Sequence, residues 1–594
     1  MGRLRGNKGF EMKQAGGGRQ YLVIDLASEQ WEVRLIPDAA YHTHLGGESL
    51  ALYLWSAHAD RDAAAGPLCI ACGAFTGSPA ICSATLSFAG ISPLTHLVES
   101  DTANSGFASA LVSCGWRAIV ITGIARRQMV VQVRSDAVEF VPSDRLIGKT
   151  VFETVRTLES EGDLSVLAIG PAGERASLLS CAVNEGLPVE RFGFGALLGM
   201  KHIKAITADH GPMEFAPVDL ARFESAHERL SRRIRSSRFL SRFAVKGLLD
   251  IVDVAKEEGF AAVDGCSGRT DPRLFHLGPD ECARKFSLDT DTIAPCPIGC
   301  RKKVMRPGGE DMPLPDAYGM MALGSNLGNY DVNLVMQWWH QAIFLGLHPV
   351  STGMYLGDVM TRRSSAQEGE LFPLVLGDTE AITQKLDAIA KGTIPISREI
   401  LLAGTAVRGR PMLPVDPRGA WGEALLIGLG EDFPFVPEIL LRWLPLASER
   451  MKVPWVVLQE NLLSVVRSVG MCPYLILPLL WEGPGGTIGR KLTSGLSKVA
   501  PPALLSVSLD ILAELASSLL GTEITADRLM DVGRRAVKYK RDSNGTEAYP
   551  AEIPERYLVD PESNHPDKVT VPYRRLVRQY RFHRALDLAK LGES

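Results

Sequence analysis

The residues best suited to redox or metal chemistry in this sequence are Cys296 and Cys300, four positions apart in APCPIGCRKK (294–303). Thiolates spaced this way across a Pro/Gly turn can hold a soft metal such as an iron–sulfur cluster, and the pair suits two buried free thiols equally well. A cluster usually takes four thiolates, and the position that would complete CxxCxxxC is Ile293. Cys69 and Cys72 form a second pair in PLCIACGAF, but Ile70 and Ala71 between them read as buried strand, whose pleat aims the two thiols at opposite faces. In GFGALLG (193–199), Gly193, Gly195 and Gly199 accompany an apolar run, a pattern that lets phosphate approach a helix N-terminus. Asn104, Ser105 and Gly106 form a polar turn opening a short helix, where an amide can face a ligand or metal but more commonly serves as a cap. Trp338 and Trp339, beside His340, read as core and surface of one helix. The absence of GxSxG, HExxH, Walker A and EF-hand patterns removes the simple hydrolase and nucleotide readings.

The elements that must position these residues change character along the chain. YLVIDL and WEVRLIP are alternating runs at hairpin distance, RAIVITG, QMVVQVR and AVEFV follow as a meander, and SVLAIG adds a further strand. After Pro217, apolar residues recur at three and four positions and helices dominate, with further helical periodicity at 331–346, 380–391, 436–448, 455–470 and 503–534. The expected fold is α+β: a disordered tail (1–20), a β-rich domain with two sheets (21–215), a helical domain carrying CPIGC (216–410) and a helical C-terminal domain (411–594).

Composition sets the outer bounds. With 594 residues, 46% of them hydrophobic and 22% charged, the chain has the profile of a soluble globular protein with large cores. The formal charge of −4 leaves no basic footprint for nucleic acid. Ten cysteines are too sparse for a secreted disulfide scaffold and read as reduced thiols of a cytoplasmic protein. No charge-free apolar run reaches membrane-spanning length.

Several segments, in this order, resemble the aldehyde ferredoxin oxidoreductase family of tungsten or molybdenum bis-pyranopterin enzymes. They include LGGESLALYLW (45–55), SPLTH (92–96), ANSGFASALVSCGWRAIVITGIA (103–125), IGPAGERASLLSCAVNEG (169–186), RFGFGALLGMKHIKAI (191–206), CPIGC (296–300), LGLHPVSTG (345–353), DPRG (416–419) and VVRSVGMC (465–472). The resemblance implies a β-rich base under two pyranopterins, helical domains closing over it, and a [4Fe–4S] cluster passing electrons to a ferredoxin-like acceptor. It assigns Asn104, with Ser105 and Gly106, and the backbone at Val189 to a Mg²⁺ that bridges the pterin phosphates. Gly193, Gly195 and Gly199 would let backbone approach, and Cys296, Cys300 and Cys472 would be cluster ligands. Asp316 is the candidate general base, with Tyr318 competing for that alignment.

The departures from the family pattern are specific. Ile293 stands at the first cluster cysteine, leaving Cys282 or Asp291 as substitutes or a three-iron cluster. Ile343 and Arg467 stand at two pterin-binding aspartates, His348 at a third, Thr85 at an arginine, and Glu48 and Ser49 at the Arg and Gly of a GxRGLA turn. GLGEDFPFVPE lacks the histidine usually found near the metal. The expectation is a divergent oxidoreductase converting an aldehyde or related carbonyl to a carboxylate. The alternative is a degenerate partner subunit of an intact paralogue, and self-association fits either reading.

Overall fold

The computed structural model describes residues 18–59, 66–292, 296–305, 311–361, 375–402, 404, 406–431, 445–479, 509–545, 549–559 and 571–592. Ile293, residues 436–444 of one expected helix, residues 503–508 of another, and the tail through residue 17 lie outside the described residues, while 445–448, the rest of the first expectation, form bends and not a helix.

The N-terminal region folds as two six-stranded sheets. The first contains β1 (Gln20–Asp25), β2 (Gln30–Leu35), β3 (Leu68–Cys72), β4 (Thr85–Ile91), β5 (Val98–Asn104) and β6 (Ala118–Thr122), in the order β2-β1-β6-β3-β4-β5. The second contains β7 (Met129–Val133), β8 (Val138–Pro142), β9 (Leu164–Ala168), β10 (Val183–Asn184), β11 (Leu187–Pro188) and β12 (Ile203–Asp209), in the order β11-β10-β9-β12-β7-β8. The expected hairpin is β1–β2, but the expected meander is split. β6 pairs parallel with β1 and antiparallel with β3, while β7 and β8 pair in the other sheet. All three runs are β-branched, and nothing in that pattern encodes which sheet a strand joins.

Period-two alternation divides the core. On β3, Leu68, Ile70 and Cys72 face one core together with Phe88, Phe107, Val131 and Phe194, whereas Cys69 and Ala71 face a second core shared with the helices. Cys69 and Cys72 thus point to opposite faces, as the pleat requires.

Beyond residue 219 the described chain is mainly helical. The long apolar pattern after Pro217 resolves into helices Leu220–Ser236, Arg238–Lys246 and Asp250–Glu258, separated at Ser237, whose hydroxyl caps the second, and at Gly247 (φ 68°). The 503–534 periodicity likewise divides into Leu509–Leu520 and Ala526–Asn544 around Gly521. Trp338, Trp339 and His340 are all buried, so none forms a helix surface. A three-stranded sheet, β13 (Leu288–Thr290), β14 (Lys302–Val304) and β15 (Met312–Pro313), interrupts the helices, and the β13–β14 connection carries Cys296 and Cys300. Among the described residues no helix is long and apolar enough to cross a membrane.

Candidate functional site

Three distant chain segments bring cysteines to one cavity. Cys82 arrives from the β3–β4 connection, Cys296 and Cys300 from the β13–β14 loop, and Cys472 from the turn after helix Lys452–Val469, with Ala84, Asn104, Asp291, Gly299 and Arg301 completing much of the wall. The Cys472 N–H donates to the Cys82 carbonyl (2.8 Å), locking two of these segments together. Cys82 Sγ donates to Cys296 Sγ at 3.8 Å. That contact, followed by burial, pushes the Cys82 thiol far up, and it draws Cys296 down to about 6. Burial, then the neighbouring Cys296, raises Cys472 to about 12, and Asn104 hydrogen-bonds its sulfur. Arg301 pairs with Asp291, yet among the described residues its Nη1 is buried without a hydrogen-bond partner.

This donor set fits an iron–sulfur cluster. Soft thiolates bind iron, and the spare guanidinium donor offsets the negative charge that bound thiolates would bring. Cys282 is buried in the helix Pro279–Lys285 and lines no part of this cavity, while Asp291 lies at its edge, held by Arg301.

The turns expected to receive phosphate are filled from within the chain. At helix Gly106–Ser113 the Ser105 hydroxyl donates to Asn184 Oδ1 (2.7 Å), the Phe107 N–H reaches the same oxygen (3.3 Å), and the Gly106 N–H is taken by Glu185. At helix Phe194–Met200 the buried Glu190 carboxylate accepts the amides of Phe194 (3.0 Å), Gly195 (2.9 Å) and Ala182 (3.0 Å). Burial, opposed by the amide bond from Phe194, raises Glu190 to about 7. A side chain at Gly195 would stand 2.4 Å from the Cys181 backbone, and one at Gly199 would collide with the Gly173 carbonyl. Gly193 starts the helix with φ 76°, and the Val189 N–H donates to the Ala182 carbonyl (3.0 Å). Helix N-termini attract anions through free amides. These amides are occupied, and a further phosphate would meet a carboxylate, so the turns do not fit a pterin phosphate.

Two helix ends bring the remaining departures into the interior. Helix Lys452–Val469 ends at Gly470 and presents the buried Arg467, whose Nη1 lies 2.8 Å from Glu431 Oε2 and 3.6 Å from Glu48 Oε1. Lys540 Nζ stands 3.5 Å from Glu431, and the Ser100 hydroxyl donates to Glu48 (2.7 Å). Burial pushes the Glu431 carboxyl up, but Lys540 and Arg467 overcome this and hold it well below the usual carboxylate range. Helix Val332–Leu345 ends at Gly346, followed by the half-buried His348, whose pKa desolvation and then the Arg191 charge lower to about 3. The His348 Nδ1 accepts the Ser351 N–H (3.2 Å), and Ile343 is packed in the core. Asp316 caps helix Ala317–Leu323 by accepting the Gly319 N–H (2.8 Å), and burial raises its pKa.

Comparison with known proteins supports the same architecture. The N-terminal domain of aldehyde ferredoxin oxidoreductase matches residues 21–210, and its domains 2 and 3 match residues 225–588. The chain belongs to the aldehyde ferredoxin oxidoreductase family. The tungsten-containing aldehyde ferredoxin oxidoreductase of Pyrococcus furiosus is 24% identical over 595 residues, spanning 93% of each chain. Its counterpart in Thermococcus kodakarensis is also 24% identical, over 593 residues and 93% of each chain. Among solved structures, a chain of the active site complex BamBC of benzoyl coenzyme A reductase in complex with 1,5-dienoyl-CoA superposes with TM-score 0.71. It shares 16% identity over 96% of this chain and 95% of that one, which establishes a shared fold.

Within this family framework two departures become one feature. Glu48 and Arg467, which the resemblance sets at positions expected to hold a base and an acid, face each other as a buried pair. With 419 positions between them, nothing local in the sequence marks them as neighbours. Cys82, Glu190 and Glu431 are likewise absent from the residues the sequence singles out. Cys82 was visible only as one of ten cysteines, and no local spacing marked it as a neighbour of CPIGC.

Proposed function

We propose that this chain is a redox member of the aldehyde ferredoxin oxidoreductase family that retains an iron–sulfur electron-transfer site. In this reading it exchanges electrons with a partner protein, a ferredoxin-like carrier or an intact paralogous subunit, and does not oxidise aldehyde itself. The observation that carries the reading is the convergence of Cys82, Cys296, Cys300 and Cys472 on one cavity, set against Glu190 and Glu185 at the helix starts where pterin phosphates would bind. A cluster bound there would supply one-electron redox chemistry. The cysteines would bind iron as thiolates, Arg301 would balance their charge, and Asn104 would donate to the Cys472 sulfur.

A second reading, aldehyde oxidation at a pterin–tungsten centre with Asp316 as base, is favoured by tungsten-containing relatives that align over nearly the whole chain. Against it, Asp316 already spends its carboxylate on a helix cap.

Anoxic purification from a host supplied with iron, tungsten and molybdenum, followed by elemental analysis and an aldehyde-dependent dye assay, separates the two. The expected result is about four iron atoms per chain, tungsten and molybdenum far below stoichiometric, and no dye reduction. Stoichiometric tungsten with aldehyde-dependent dye reduction would establish the second reading, and folded protein without iron would refute the first.

A further inference from the structure

The family pattern places the first cluster cysteine at Ile293, and a hydrocarbon side chain cannot bind iron. The cavity contains a thiol from elsewhere in the chain. Cys82 lies 214 positions before Cys296, in a different sheet connection, yet its sulfur is 3.8 Å from the Cys296 sulfur and it shares the cavity wall with Cys300 and Cys472. We propose that Cys82 is the fourth thiolate of the iron–sulfur site, completing with Cys296, Cys300 and Cys472 a ligand set that the CPIGC loop alone cannot supply. The inference rests on the iron–sulfur reading above and names the residue that makes a four-thiolate site complete.

Two observations favour Cys82 over its competitors, and a third suits any set of thiolates at this cavity. The first is backbone placement. Cys82 adopts φ 58°, in the left-handed region that a residue with a Cβ occupies at a cost of about 1–2 kcal/mol. Its carbonyl is held by the Cys472 amide (2.8 Å), so the strained turn is fixed to the very residue that supplies another ligand. Strained side-chain-bearing residues concentrate where a side chain must be aimed. The second is the environment of the alternatives. Cys282 faces a different part of the core, and Asp291 is paired with Arg301 at the cavity edge. The third is charge. Each thiol that binds iron gives up its proton, and the buried spare Nη1 of Arg301 stands at the cavity to offset the charge gained.

The test uses the full-length protein, purified without oxygen and reconstituted with ferrous iron and sulfide. Wild type, Cys82→Ser, Cys282→Ser and the double variant Cys82→Ser/Ile293→Cys are compared for iron and labile sulfide per chain and for electron paramagnetic resonance in oxidised and reduced states. Wild type and Cys282→Ser are expected to hold about four iron atoms and to be paramagnetic when reduced. Cys82→Ser is expected to lose at least one iron per chain and to become paramagnetic in the oxidised state instead. Restoring the cysteine at 293 should return both the iron and the original spectrum, which separates a ligand role from a general defect in folding. The inference is overturned if Cys82→Ser keeps the full iron count and spectrum, or if Ile293→Cys fails to restore what Cys82→Ser loses. Folded wild-type protein that takes up no iron would instead remove the iron–sulfur reading itself.

Discussion

Two helix ends dock on the N-terminal sheets by the same device and carry different chemistry. Helix Val332–Leu345 ends at Gly346 (φ 74°), whose backbone packs on Gly170. The Cys181 N–H donates to the Gly346 carbonyl (2.9 Å) and the His348 N–H to Leu179 (2.8 Å). Helix Lys452–Val469 ends at Gly470 (φ 89°), whose backbone packs on Gly73. The Phe75 N–H donates to Val469 (2.8 Å) and the Cys472 N–H to Cys82 (2.8 Å). Gly–Gly contact and backbone hydrogen bonds depend on no neighbouring side chain, so each junction tolerates exchange of the residues around it. One end has become an apolar and neutral contact, with Ile343 in the core and His348 uncharged. The other presents the Cys472 thiol to the cysteine cavity and carries a buried ion cluster. The scaffold therefore constrains backbone approach, and chemistry is free to diverge between its two halves.

The sharpest way to break this contrast is to remove the charge at the second end. Arg467→Met leaves Glu48 and Glu431 buried with, among the described residues, Ser100 on the first and Lys540 on the second. Stripping one member from a buried ion cluster costs about 3–5 kcal/mol, to be read as a shift in the denaturant midpoint. The double variant Glu48→Gln/Arg467→Met, which removes the charge left unpaired at Glu48 and leaves Glu431 with Lys540, should recover part of that loss. Equal destabilisation in the double and single variants would show that the two residues do not act as a pair.

A smaller effect tests what the ends share. An alanine Cβ at Gly470 would lie 2.5 Å from Gly73 Cα, and one at Gly346 would lie 2.4 Å from the Gly170 nitrogen, both at positive φ. Left-handed backbone and local overpacking together cost about 2–4 kcal/mol. Gly346→Ala and Gly470→Ala should therefore destabilise by similar amounts, and only Gly470→Ala should also lower iron retention. A Gly346→Ala protein with unchanged stability would break the parallel.

Much of this scaffold was legible in the sequence, because β-branched alternation and helical periodicity are local signals. The β1–β2 hairpin, the opposed thiols of β3 and the helix at 332–345 follow from two- and 3.6-residue periods. The site was less legible because its decisive contacts are long-range. The approach of Cys82 to Cys296, the pairing of Glu48 with Arg467, and the filling of a helix start by Glu190 depend on how sheets and helices dock. That Ile293 stands where the resemblance expects a cysteine could be read directly from the motif. The approach of Cys82 to Cys296 could not, since a thiol 214 positions away leaves no trace in local spacing.

The smallest effect separates the neutral end from the charged one by its pH response. His348 is lowered to about 3, so its contribution to stability is complete above the ordinary value of 6.5 and is lost as pH falls towards 3. Glu190, near Arg191 and Asp101, is raised to about 7. Its contribution is complete below 4.5 and is lost as pH rises towards 7. Between pH 4.5 and 6.5 the two slopes oppose each other, each at most about 1.4 kcal/mol per pH unit. His348→Asn, which keeps an acceptor for the Ser351 amide, removes the rising slope and should make stability fall with pH relative to wild type. Glu190→Gln removes the falling slope and should do the reverse. Groups that titrate identically in variant and wild type cancel in the difference, so urea midpoints at three pH values suffice. Matching pH profiles for both variants and wild type would mean that this end is not held by a neutral histidine and a protonatable acid, and the contrast with the Arg467 cluster would fail on that side.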